Sequence, residues 1–471
     1  MSRPISPDYD QATLLPPCVE DWVSARHPAR FVRDFVGTLD LRALGFRDSP
    51  GEHGRPHLAF EMLLAVWLFG WMDRTRSVRR LEKACMECMP YIWLSGNLQP
   101  DHNTLWRFFR DNKPQLRKLF KRIVQVADEA GLIGFALHAI DGTKIQAACS
   151  TDTALHRERL AKELIKLDAL IDSTIAAVEQ EAAMDEPGYA MPEQMQDAKQ
   201  RRDAIRQALA TVERADTEHL HPTEPEARMM KARQGTRMGY NAQIAVDHDS
   251  DLIVAESVVQ DQNDTAQAIP VLNEVLENTG RVADTTDLDG GYFSGEQLDE
   301  AERRGYDVLV PIRQDNSTKQ GFAKADFKYD RELDVFICPQ GKVLKFSHEE
   351  KPSKTERYPR LWYRCSEKDC PVRDKCTKDK RGRTVKRTSY DDAIERQKAQ
   401  QEDPANRNLM KLRKEIVEHP FGIIKAIDGF GRFTVRGLAA VNAQWALVCS
   451  AYNLRKMYAF WLQGEMNLGG C

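Results

Sequence analysis

The stretch "FALHAIDGTKIQA", residues 135 to 147, decides how this chain is read, because the hydrophobic period changes there. Upstream, "ARFVRDFVGTLDL", "PHLAFEMLLAVWLFGWM" and "SVRRLEKACMECMPYIWL" read as helices. After the turn "SGNLQPDHN" comes "TLWRFFRDNKPQLRKLFKRIVQVADEAG", where Asp101 to Thr104 offer cap oxygens ahead of an apolar, basic helix. A helix, a turn and a basic helix suit a DNA-reading unit, and plain helical packing gives the same pattern. Within the deciding stretch, "FALHAID" reads as a strand with Asp141 at its carboxyl end.

Downstream, "YNAQIAVDHDS" (240 to 250) and "LIVAESVVQ" (252 to 260) read as two further strands joined by a short Asp-rich turn. A helix follows in "DTAQAIPVLNEVLENTG", with Asp264 and Gln267 at capping-box spacing. Then come a strand ending near Asp289, a helix opened by Ser294 with Gln297 three on, and a strand "YDVLVPI" (306 to 312). Three strands followed by alternating helices and strands describe a mixed α/β sheet flanked by helices.

Two insertions interrupt this core. Residues 153 to 220 place Leu160, Leu164, Leu167, Ile171, Ile175 and Val178 three or four apart, break at "EPGYAMP", and resume with Ile205, Leu209 and Val212, as in an antiparallel helical hairpin. Residues 316 to 405 are polar, basic and cysteine-bearing, and the helical pattern resumes near Asn406.

At 471 residues the chain is too long for one ordinary core. No apolar run reaches the roughly 18 residues of a membrane span, and "MSRPISPDYDQ" lacks the basic-then-apolar start of a secretory signal, so a cytoplasmic protein without a membrane partner is expected. The net charge of -3 hides segregation: residues 71 to 122 hold 12 Lys/Arg against 5 Asp/Glu, and residues 341 to 390 hold 16 against 7. Residues 155 to 220 hold 9 against 14. Basic blocks in a nearly neutral chain point to local phosphate binding.

If the strands ending at Asp141 and Asp289 are parallel neighbours, both carboxylates emerge at one sheet edge, where α/β proteins place their sites. Gly290 and Gly291 permit a tight exit turn there. In "KLRKEIVEHPFGIIKA" (411 to 426) a helix carries Glu418, and Pro420 either starts its apolar run or kinks it. Three such acids repel one another and suit a pair of divalent ions, magnesium or manganese, for phosphodiester chemistry. Against this, Asp-Gly is a common turn pair, and Asp284 and Asp287 compete with Asp289.

The blocks "AIDGTKIQA", "GYNAQIAVD", "LDGGYFSG" and "IVEHPFGIIKA", in that order, resemble those of bacterial insertion-sequence transposases of the DDE type, with likeness over residues 1 to 460. The resemblance implies an α/β fold with a ribonuclease H-like mixed five-stranded sheet flanked by helices. It implies four units: an all-α DNA-binding domain (1 to 130), a catalytic core (131 to 152, 221 to 315 and 406 to 460), the helical hairpin (153 to 220) and the cysteine-containing insertion (316 to 405). By position it makes Asp141, Asp289 and Glu418 the metal ligands and Lys425 a phosphate contact. Where the related signature has a tyrosine and an arginine before the glutamate, this chain has Lys411 and Lys414. The implied activity is cleavage of element ends followed by attack of the freed 3' hydroxyl on target DNA, by a homo-oligomer bridging two terminal inverted repeats at the bacterial nucleoid. The rival readings are a metal-dependent endonuclease without strand transfer and an inactive DNA-binding derivative.

Among ten cysteines, Cys338, Cys365, Cys370 and Cys376 cluster with C-x26-C-x4-C-x5-C spacing. They read either as a structural Zn2+ site or as four reduced thiols. Cys85 and Cys88 read as helical core thiols. Candidate DNA contacts are Arg107, Arg110, Lys113, Arg117 and Lys118, with "KDKRGRTVKR" (378 to 387), and Trp106, Phe108 and Phe109 read as core beside them.

Overall fold

The computed structural model describes residues 18–46, 57–182, 193–214, 217–232, 235–312, 322–352 and 358–468. The "EPGYAMP" break, the side chains of Ile175 and Val178, and the first residues of the chain lie outside them.

The N-terminal part is helical: α1 (Pro28–Gly37), α2 (Phe60–Met72), α3 (Val78–Glu87), α4 (Met89–Leu94), α5 (His102–Asp111) and α6 (Lys113–Glu129). Helix α2 is apolar on every side, and all but two of its residues are buried, as such a sequence requires. Asp101 caps α5 through the Thr104 N–H at 2.6 Å. Phe108 and Phe109 are core, whereas Trp106 is exposed and stacks on Phe109, a correction to its expected burial. Cys85 is buried while Cys88 sits exposed at the break between α3 and α4.

Next come β1 (Leu137–Gln146), the two-residue strand β2 (Leu155–His156), helices α7 (Arg157–Ala182) and α8 (Glu193–Arg214), and β3 (His219–Leu220), which pairs with β2. The paired short strands close the base of the expected hairpin, and Leu160, Ile205, Val212 and Leu220 form its own small core. The sheet continues with β4 (Arg228–Ala232), β5 (Gly235–Asp247), β6 (Ile253–Val259), helix α9 (Ala268–Thr279), β7 (Thr285–Leu288), helix α10 (Gly295–Arg304) and β8 (Val308–Leu309). Its order is β4-β5-β1-β7-β8, with β6 also on β5. Six strands replace the expected five, because residues 228 to 232 fold back as a hairpin on the first half of β5. Strand β5 runs antiparallel to both β1 and β6, and β7 and β8 run parallel to β1 after helical crossovers.

Residues 322 to 387 carry a separate antiparallel sheet: β9 (Lys328–Asp330), β10 (Val335–Ile337), β11 (Val343–Glu350), β12 (Arg360–Cys365), the single turn α11 (Arg373–Cys376) and β13 (Thr384–Arg387). Helices α12 (Asp391–Glu402), α13 (Pro404–Gly422) and α14 (Leu438–Gln463) follow, so helix resumes at Asp391 and not near Asn406.

One continuous hydrophobic core joins α1 to α6, the large sheet and α14. Helix α14 also closes the free edge of β6. Asn453 accepts the Ile253 N–H at 2.9 Å and donates to its carbonyl at 2.7 Å, and Asn442 does the same for Val258 at 3.0 and 3.1 Å. Eleven helical residues rise about 16.5 Å and five strand residues about the same, so the two asparagines match the edge and satisfy its backbone groups. Among the described residues, no helix is long and apolar enough to cross a membrane.

Candidate active site

Strand register sets the first two carboxylates. Ile140 of β1 pairs with Leu288, the last residue of parallel β7, so Asp141 and Asp289 follow side by side. Asp141 is thus in the middle of β1 and not at its end: β1 runs on to Gln146 against β5, and the edge is made by β7 stopping. The Asp141-Gly142 pair is no turn. A Cβ on Gly142 would lie 2.3 Å from Gln243 Nε2 and 2.8 Å from Asp264 Oδ1, so the polar floor beneath the strand demands glycine.

Arg413 of α13 lies between the two acids. Its guanidinium is 3.2 Å from Asp141 Oδ2 and 3.5 Å from Asp289 Oδ1. Burial raises the Asp141 pKa, Asp289 adds to the rise, and Arg413 with the Gly142 N–H opposes it. Asp287, two residues before Asp289 on the same strand face, is fully buried and pushed up to about 7 by burial. Neither of its carboxylate oxygens has a partner among the described residues. Asp289 is the exposed member of the two, and its side chain caps the following turn through the Gly291 N–H.

Helix α13 passes over β1. Glu418 is exposed on it and lines, with Asp141, Thr143, Lys144, Arg237 and Lys425, a cleft of about 820 Å³. Pro420 is buried inside α13, two residues before the helix ends. A π-helical turn, Ile423–Ile427, follows, with the Asp428 N–H bonded to the Ile423 carbonyl at 2.7 Å. From this turn Lys425 reaches the hydroxyl of Thr143, two residues beyond Asp141. Lys411 and Lys414 are exposed, seven and four residues before Glu418, which puts all three on one helix face. His419 turns away to Asp251, 3.1 Å off.

Several residues were not visible as site members. Arg413 is one. Asp264 is another: the expected capping box does not form, since α9 begins at Ala268 without a side-chain cap. The Asp264 carboxylate instead takes Lys144 at 3.0 Å, Asn241 at 2.7 Å and Gln243 at 2.8 Å. The Tyr292 hydroxyl donates to Gln243, and Tyr292 is held un-ionised by burial first and then by Asp264, Asp141 and Asp289. The Ser294 box is also unmade, because Gln297 accepts the Ile269 N–H instead. Gly142 was the one signal for this floor, as a bare position in a strand.

Arg107 and Arg110 are exposed on α5 but do not line the cleft, and Arg110 pairs with Asp111 at 2.7 Å. Arg117 is half-exposed and lies 3.8 Å from Glu256 and 3.5 Å from Glu274. In the stretch 378 to 387, Arg387 is buried against Asp392 and Glu395, and Arg383 donates to the Phe322 carbonyl.

Cys338, Cys365 and Cys376 pack against one small core formed by Phe327, Phe336, Leu344, Tyr363 and Val385. Cys338 Sγ accepts the Lys342 N–H at 3.3 Å. Burial raises the Cys376 pKa, Cys338, Cys365 and Cys370 raise it further, and Arg383 opposes them. Among the described residues, however, no group of three or more His, Cys, Asp or Glu stands ready to hold a metal, so neither expected metal site is preassembled. At the sheet edge the reason is visible: Arg413 occupies the space between Asp141 and Asp289. The donor set of Asp141, Asp289 and Glu418, all carboxylate oxygen, suits a hard divalent ion.

Two family descriptions match the chain. "Transposase domain (DUF772)" covers residues 17–111, the helices α1 to α5, and "Transposase DDE domain" covers residues 337–458, from Cys338 through Glu418 into α14. The two matches indicate a DDE transposase of the insertion-sequence type. The second match contains Glu418 and Lys425 of this chain but neither aspartate. No curated protein matches it. A cryo-EM structure of a piggyBac transposase synaptic complex with hairpin DNA is similar at 9% identity over 93% of this chain and 76% of that one. Its TM-score is 0.32.

Proposed function

We propose that this transposase cuts DNA at the ends of its element and joins the freed 3' hydroxyl to target DNA, at a ribonuclease H-like core carrying Asp141, Asp289 and Glu418. One observation carries the reading: Asp141, within β1, and Asp289, just past the end of its parallel neighbour β7, lie close enough to share one guanidinium, with Glu418 across the same cleft as Asp141. The antiparallel trio β1, β5 and β6 followed by parallel β7 and β8 supports the ribonuclease H-like core.

Asp141, Asp289 and Glu418 would hold magnesium or manganese, which supplies charge neutralisation at the reacting phosphate. In the cutting step a water oxygen bonds to phosphorus and the bridging 3' oxygen leaves as a hydroxyl. In the joining step that hydroxyl attacks a target phosphodiester, so one ester bond forms as one breaks. Lys425 from the π-helical turn, with Lys144 and Arg237 along the cleft, orients the phosphodiester, and Lys411 and Lys414 extend the contact along α13. Arg107 and Arg110 would hold a more distant stretch of the duplex. Double-stranded terminal repeats and target DNA are the partners, a homo-oligomer bridges two ends, and the setting is a bacterial cytoplasm at the nucleoid. For Cys338, Cys365, Cys370 and Cys376 a structural zinc and four free thiols both stay open, and three of them, Cys338, Cys365 and Cys376, pack on one small core. About one zinc per chain in purified protein speaks for the first, and none speaks for four free thiols.

Labelled element-end duplex, supercoiled target plasmid and Mg2+ separate the readings. Joined products in wild type that vanish in Asp141→Asn and Glu418→Gln support transposition. Cut ends that never join favour the endonuclease, and DNA binding without cutting favours an inactive derivative.

A further inference from the structure

Arg413 belongs to none of the sequence blocks in a phosphate-holding position; that position falls on Lys414, which is exposed on the next helix face. Arg413 instead turns under the helix, with its side chain largely covered, and contacts both Asp141 and Asp289. No other Lys or Arg contacts Asp141 or Asp289 among the described residues within ion-pair range. A cation in that position does for two facing carboxylates what a divalent ion does, and both cannot occupy one place.

We propose that Arg413 is a resident counter-ion of the carboxylate site, which holds Asp141 and Asp289 together in the metal-free protein and has to swing out when divalent ions enter. The proposal rests on the reading of these acids as metal ligands. It makes ion loading an exchange of one cation for another, so the intact protein takes up ions more weakly than its carboxylates alone would.

The test uses full-length, DNA-free protein titrated with Mn2+, the free ion being followed by electron paramagnetic resonance. Arg413→Gln is expected to bind Mn2+ roughly tenfold more tightly than wild type, since a competing charge is gone, and Arg413→Lys is expected to stay close to wild type. Unchanged or weaker Mn2+ binding in a folded Arg413→Gln protein overturns the proposal. Asp141→Asn separates the two levels: if it leaves Mn2+ binding at the wild-type value, the metal-ligand reading fails and the exchange fails with it. Should Arg413→Gln not fold, wild-type protein treated with phenylglyoxal decides. Mn2+ is expected to raise modification of Arg413 in peptide mass spectra several-fold, and an unchanged or lower yield contradicts the exchange.

Discussion

At the cleft, Arg413 is 12% exposed beneath Asp141 and Asp289, which are 26% and 53% exposed. Where α6 crosses the sheet, Arg117 is 46% exposed above Glu256 and Glu274, which are 1% and 21% exposed. Both sites are built of two acids and one arginine, turned inside out relative to each other. In the first Asp289 is exposed, Asp141 is part-buried at the cleft, and the arginine is the most covered of the three. In the second Glu256 is sealed, Glu274 is part-buried, and the arginine is the most exposed. Burial pushes Glu274 up to about 7 and Glu256 well above its ordinary value, so that pair keeps protons near neutrality and works as packing between α6, β6 and α9. Outward-facing acids can receive an ion from solvent, whereas sealed ones can only hold or lose a proton.

The largest expected difference between the two sites is in activity. Asp141→Asn, Asp289→Asn or Glu418→Gln should each cut strand joining by about a thousandfold or more, because lost charge stabilisation at the phosphate amounts to several kcal/mol. Glu256→Gln should leave joining close to wild type. Equal losses at both sites would erase the contrast.

Stability against pH reverses the ranking. Glu274 binds its proton more tightly folded than unfolded, so its contribution is full below about pH 4.5 and is lost as pH rises through about 7, and burial shifts Glu256 in the same direction. Wild type should therefore lose about 1–3 kcal/mol over that window, in denaturant melts at pH 5 and pH 8. Glu274→Gln should flatten this slope without abolishing it, since Asp287, also raised to about 7, adds the same sign. A slope unchanged in Glu274→Gln would break the account of this pair.

Smaller effects sharpen the cleft side. Lys425→Ala, which loses the Thr143 contact, should reduce joining about tenfold with little change in stability. Lys411→Gln and Lys414→Gln should each weaken end-DNA binding modestly and lower the salt dependence by about one unit of slope, read from filter binding across salt concentrations. The same changes at Arg107 and Arg110, off the cleft, should leave the cutting rate on saturating DNA as it was.

The position of Asp289 was readable because a strand ended there and two glycines followed. Glu418 and Lys425 followed from the resemblance of "IVEHPFGIIKA" to the late block of the DDE transposases. Asp141 was readable as an acid near a strand, but the strand's length was not. "GTKIQ" mixes glycine and lysine with apolar residues and looks like an exit turn, while its pairing with β5 is a property of the sheet. Arg413 was hidden because helical phase alone cannot say which of two adjacent basic residues, 413 or 414, meets the sheet. Asp264 was hidden because capping-box spacing is a local signal, and Lys144, Asn241 and Gln243 outbid the helix end for its carboxylate. Glu256, in "VAESVV", reads as the solvent-facing residue of a half-buried strand. It is buried because α9, α6 and α14 cover that face, a tertiary fact with no mark in the local pattern.

The most direct measurement replaces the working ion with Fe2+ and adds ascorbate and peroxide, so that radicals formed at the bound ion cut the chain beside it. The account predicts fragments ending near residues 141, 289 and 418 together, suppressed by excess Mg2+ and lost in Asp141→Asn. Cuts at one of these places without the others, or cuts elsewhere in the chain, would contradict the claim that the three carboxylates meet at one ion site.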